Sequence, residues 1–203
     1  MNPAQTAIIL IGYQNDYFAP DGILQGVLES PQRTSEVLDR TIQLIQALQN
    51  QPITMIATPI IFSSDYSEVT QAGGILAAIK EAKAFQAGQP GAATVDAFAE
   101  FGDRIMEIPG KRGLNAFVQT TLAGTLESKQ IQDVVVAGAV TSICIDSTAR
   151  AAYERGMNVS ILSDCTAART AAEQEFFCES IFPTYATVMT SEELLAQCTA
   201  QQV

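Results

Sequence analysis

Short apolar runs closed by glycine or proline alternate along this chain with stretches of helical period, and that alternation constrains the fold more than any other feature. Such runs are strand-sized and too uniformly apolar for half-exposed strands. They suit parallel strands buried on both faces and joined by crossover helices. The expected strands cover residues 7–11, 54–58, 104–108, 134–137, 158–162 and about 186–189. Helices are expected over about 31–49, 117–128, 143–155 and 167–181, with a last one from Ser191. The first of these has Ser30 as its cap and Pro31 at its first position, with Val37, Ile42, Leu44, Ile45 and Leu48 largely on one side. Residues 63–91 are less regular, with a short helix near 75–84, as befits an insertion that serves a site or an interface. No linker splits the chain, so one domain over 1–203 is expected.

The implied architecture is a three-layer, doubly wound α/β fold around a parallel sheet of about six strands. In such sheets a site lies beyond the carboxyl ends of the strands, where strand order reverses. The search therefore narrows to the loops 12–18, 58–65, 109–115, 138–144 and 163–166. Neither GxGxxG after the first strand nor GxxxxGK[ST] occurs, so nucleotide binding has no local support.

Charge and composition exclude several function classes. Eleven basic residues against 22 acidic ones give a net charge of −11, which disfavours nucleic acid and anionic membranes and leaves a small-molecule substrate. No apolar run reaches the roughly 18 residues of a membrane span, and residues 1–6 lack the features of a signal peptide. A cytoplasmic protein with free thiols is the expectation for Cys144, Cys165, Cys178 and Cys198. An apolar fraction of 47% hints at surface buried between subunits. There is no histidine, which rules out Ser-His-Asp and Cys-His hydrolases and His-based zinc sites.

The strongest chemical signal is the stretch Gly138-Ala139-Val140-Thr141-Ser142-Ile143-Cys144. It puts Cys144 in the first turn of a helix that starts at a strand end, where unpaired amides and the helix dipole favour a thiolate. The same amides suit the oxyanion of a tetrahedral intermediate. The plainer reading is a small buried cysteine. Lys111, in the turn after the third strand, is either a cation that favours the thiolate or a solvated turn residue. Cys165 also stands at a strand end and reads as core packing.

The stretch 138–145 resembles the G-x-x-T-x-x-C-V signature of the isochorismatase-like cysteine hydrolases. Residues 13–18 resemble that superfamily's D-x-Q-N-D-F opening, and Lys111 with Asn115-Ala116-Phe117 resembles its K-x-x-x-S-A-F block. Residues 144–156 and Ser163-Asp164-Cys165-Thr166 resemble two further segments, so the likeness runs through nearly the whole chain. It implies an isochorismatase-like hydrolase fold and a homo-oligomer needing no organic cofactor or metal. It also implies a carbon–nitrogen bond of a small amide, imide or ureido substrate, cleaved through a covalent Cys144 intermediate with Lys111 beside it. The Ala139-Val140 bond matches a peptide that is cis in many members, and the amides of Val140 and Cys144 would form the oxyanion pocket. Substrate contacts are expected from Ala139, Val140 and Thr141, with Tyr13, Phe62 and Phe117 as walls.

One departure stands out. The superfamily's catalytic aspartate falls at Gly12. Asp16, Asp65 and Glu173 are candidate substitutes, Asp16 being nearest in sequence, although an acid there also suits a loop-holding role. A Cys144–Lys111 pair alone, or a non-catalytic ligand-binding or assembly protein on the same fold, are the other readings. The histidines of the nicotinamidase metal cluster are missing from 58–65, and the retained Cys144 argues against isochorismatase chemistry itself.

Overall fold

The computed structural model describes residues 1–70 and 73–199. Six strands form one parallel sheet: β1 (Thr6–Ile11), β2 (Thr54–Thr58), β3 (Met106–Glu107), β4 (Asp133–Ala139), β5 (Asn158–Ala167) and β6 (Thr187–Met189). Their order across the sheet is β3-β2-β1-β4-β5-β6. The chain winds outward from β1 in one direction and from β4 in the other. Right-handed crossovers then put the connecting helices on opposite faces, which makes three layers. The switch point lies between β1 and β4, paired from Thr6 opposite Asp133 to Ile11 opposite Gly138.

The α-helices are α1 (Asn15–Phe18), α2 (Pro31–Ala47), α3 (Gly74–Ala82), α4 (Leu122–Ser128), α5 (Asp146–Tyr153), α6 (Ala171–Phe176) and α7 (Ser191–Thr199). As expected, Ser30 caps α2 by accepting the Arg33 amide. Val37, Leu44 and Ile45 are buried along its inner side, each worth roughly 1.5–3 kcal/mol of transfer free energy. No helix among the described residues is long and apolar enough to cross a membrane.

Four expected elements differ. The third strand shrinks from 104–108 to two residues because Arg104 is used elsewhere. Its guanidinium donates to the carbonyls of Leu48, Gln49, Gln51 and Ile53 and ties down the connection into β2. The helix expected over 117–128 forms only as α4, since Gln119 takes a left-handed φ of 57°. The helix expected over 143–155 begins as a π turn, Thr141–Ile145, before α5. That expected over 167–181 is α6 followed by a second π turn, Phe177–Ile181. Conversely β5 runs on through 163–166, which the sequence assigns to a loop. Val136 stands opposite Ile161 and Gly138 opposite Thr166, so Leu162, Ser163, Asp164 and Cys165 bulge opposite Ala137 alone.

Candidate active site

Two glycines shape the switch point. Gly138 has φ +124°, and a Cβ there would lie 1.8 Å from the Ile11 carbonyl oxygen, so no side chain fits where β4 passes β1. Gly12 has φ +71°, and a Cβ there would lie 2.8 Å from the Ala139 carbonyl oxygen and 3.6 Å from a ring carbon of Tyr17. The missing aspartate is therefore more than one changed side chain: backbone and neighbours close the space it would need. The Ala139–Val140 peptide is cis, as the resemblance implied.

Beyond it the chain enters the π turn that carries Cys144. The Val140 carbonyl accepts the amides of Ile143 at 3.0 Å and Ile145 at 3.2 Å. Single π turns of this kind recur at functional sites. Thr141, expected to touch substrate, is buried, and its hydroxyl donates to the Gln174 side-chain oxygen at 2.6 Å. The Gln174 amide group also donates to the Ser163 carbonyl and the Thr166 hydroxyl, so one side chain of α6 braces the Cys144 turn against β5.

Lys111 reaches the same point from the other half of the sheet. Its backbone bridges Ile60 just past β2, and its carbonyl accepts the Ile61 amide. The Ala116 amide donates to the Thr148 hydroxyl, which moors the lysine loop to α5. Lys111 is fully buried, and its Nζ lies 2.5 Å from the Gly113 carbonyl oxygen and 3.3 Å from Cys144 Sγ. A buried ammonium must find partners. Here one partner is the thiol that the sequence singles out. Cys144 itself is only 4% exposed.

The loop after β1 is fastened by Gln14. Its side-chain amide donates to the carbonyls of Ile60 and Ala92 and accepts the Ile60 amide, all within 2.8 Å. Asp16 is buried beside it, and its Oδ2 accepts the Phe85 amide at 2.6 Å. Burial raises its carboxyl above the usual range, partly offset by that bond. Through that bond Asp16 ties the loop after β1 to Phe85. The other two acids are also occupied. Asp65 is held low by the Ser63 hydroxyl and the Ser67 amide. Glu173 is paired with Arg169 at 3.0 Å; burial pushes its carboxyl up, and the Arg169 hydrogen bonds and charge outweigh that to hold it low. Arg150 pairs with Asp146 at 2.9 Å.

The aromatic residues expected as pocket walls are all buried. Tyr13 is a core residue whose hydroxyl hydrogen-bonds Thr41 at 2.6 Å and donates to the Cys165 carbonyl at 3.0 Å, while its ring stacks on Phe18. Phe62 is fully buried against Tyr66, and Phe117 is buried under the Arg155 guanidinium. Packing consumed them. The sequence reading passed over Tyr17, which is 2% exposed, packs on Phe85 and feels the charge of Cys144. Burial, then Cys144 and then Asp16, push its phenol well above the ordinary tyrosine value.

The sheet order and strand-end site define an α/β fold of the isochorismatase-like hydrolase type. Residues 6–193 match the isochorismatase domain, and the chain belongs to that family of hydrolases. An isochorismatase family protein of Escherichia coli O157:H7, YecD, is 36% identical over 85 residues, a match spanning 42% of this chain and 45% of that relative. Ureidoacrylate amidohydrolase RutB of Methylobacterium radiotolerans is 26% identical over 179 residues, covering 82% of this chain and 68% of RutB. A cysteine hydrolase from Pseudomonas syringae pv. phaseolicola 1448A superposes with a TM-score of 0.87 at 22% identity, over 98% of this chain and 95% of that one. At that identity the likeness is one of fold.

Proposed function

We propose that this chain is a cysteine-dependent hydrolase that cleaves a carbon–nitrogen bond of a small amide, imide or ureido compound through a covalent Cys144 intermediate. The observation that carries the reading is the Lys111 ammonium 3.3 Å from Cys144 Sγ in a buried setting. A cation there favours the ionised sulfur, and the thiolate is the nucleophile. Attack on a carbonyl carbon forms a tetrahedral intermediate, whose oxyanion the Val140 and Cys144 amides would hold beside the cis peptide. Collapse expels the leaving nitrogen and leaves a thioester that water resolves. The name of the relative RutB supports the substrate class. The reading includes a single cytoplasmic domain over 1–203 that works as a homo-oligomer without metal or organic cofactor.

A second reading, a ligand-binding or assembly protein without turnover, draws on Gly12 and on the 4% exposure of Cys144. One experiment separates the two. The wild-type protein is assayed against a panel of small amides, imides and ureido compounds, with rapid-quench mass spectrometry of Cys144. Turnover with an acyl adduct on Cys144 is expected, and Cys144→Ser should lower it about 10⁴–10⁶-fold. Binding of panel members with neither adduct nor product would establish the second reading.

A further inference from the structure

The hydrolase reading leaves a proton unassigned. Amide cleavage needs a proton on the departing nitrogen, and Gly12 supplies none. Asp16 accepts the Phe85 amide, Asp65 is hydrogen-bonded to Ser63 and Ser67, and Glu173 is paired with Arg169. Lys111 already donates to Cys144 Sγ and to the Gly113 carbonyl.

Tyr17 is different. Its ring stands where a side chain at position 12 would point, 3.6 Å from a Cβ placed there. It is 2% exposed and lies within electrostatic reach of Cys144. Phe85 packs against it at 5.2 Å between ring centroids and fixes its place. A buried phenol ordinarily finds a hydrogen-bond partner, as Tyr13 does with Thr41 and Tyr66 with the Ala84 carbonyl. Among the described residues Tyr17 makes no side-chain hydrogen bond. A donor with no protein acceptor of its own thus stands beside position 12.

We infer that Tyr17 takes over the proton transfer lost at Gly12, donating its hydroxyl proton to the leaving nitrogen. This rests on the hydrolase reading. In the first half-reaction the Cys144 thiolate forms a C–S bond and the C–N bond breaks as the Tyr17 proton passes to nitrogen. In the second, water attacks the thioester carbon and gives a proton to the Tyr17 oxygen. The C–S bond then breaks, releasing the acid and restoring thiolate and phenol. The net reaction is amide plus water to acid plus amine.

The test is Tyr17→Phe, which preserves the packing on Phe85. Two acetyl probes share an acyl group and differ in leaving group. 4-Nitroacetanilide needs its nitrogen protonated, whereas 4-nitrophenyl acetate releases a stable phenolate. Acylation of Cys144 by the anilide should fall about a hundredfold, with the pre-steady-state burst of 4-nitrophenolate from the ester within about twofold of wild type. A merely structural role would depress both probes alike. Equal losses, no loss on the anilide, or a wild-type protein that turns over the ester and leaves the anilide intact would each overturn the assignment. Failure of the underlying reading looks different: 4-nitrophenyl acetate would then leave no acetyl adduct on Cys144 of the wild-type protein.

Discussion

Cys144 and Cys165 are two buried thiols at the carboxyl ends of neighbouring strands, and they differ in what faces them. Cys165 sits in the β5 bulge beside Asp164, and burial followed by that carboxylate pushes its thiol up to about 12. Cys178 is pushed up to about 11, chiefly by burial. Cys144 meets the Lys111 ammonium at 3.3 Å. Placement at a strand end is therefore not what singles out a nucleophile. Burial without a cation holds a thiol protonated and inert, and a cation brought from another strand end changes its chemistry.

The contrast can be broken most forcefully at Lys111. Lys111→Met keeps the length of the side chain and removes the charge. Removing a buried charge beside the reacting sulfur takes away electrostatic stabilisation of the transition state, so turnover of any active panel substrate should fall by about a hundredfold at pH 7. An unchanged rate would make Cys144 no different from Cys165.

A smaller effect comes from Cys165 itself. Its thiol titrates higher in the folded protein, about 12, than its ordinary value of 9.0. Below pH 9 it is protonated in both states and contributes fully to stability. Between pH 9 and about 12 the unfolded chain ionises first, so stability is lost as pH rises. Cys165→Ala should flatten that alkaline loss in denaturant titrations while leaving turnover at pH 7 intact. A matching drop in turnover would move the nucleophile to β5.

Smallest of all is Asp16→Asn. The amide oxygen can still accept the Phe85 N–H, so turnover is expected within about twofold of wild type. A loss beyond about tenfold at unchanged melting temperature would return Asp16 to the proton-carrying role.

The same contrast explains what could be read from the sequence. β1, β2 and β4 were legible because strands buried on both faces are written as continuous apolar runs. The bulge in β5 and the shortness of β3 were not. One depends on a register shift opposite Ala137, the other on Arg104 reaching carbonyls about 50 residues away. At the site, Cys144 and Lys111 were singled out by motif spacing, and the structure brings them to 3.3 Å of each other. Gln14, Gln174 and Tyr17 were missed as braces or donors, since their roles lie in partners from 8 to 78 residues distant or in having none. Tyr13 and Phe117 looked like pocket walls because aromatic residues near a strand end read alike whether they face a cavity or Thr41 and Arg155.

The most direct test follows the four thiols of the native protein with a small alkylating reagent across pH 6–9, read residue by residue by peptide mass spectrometry. The expected result is that Cys144 reacts first and already at neutral pH despite its near burial, with Lys111→Met abolishing that lead. Contradiction would be a Cys144 that lags behind the more accessible Cys178 throughout, or whose lead survives loss of the lysine.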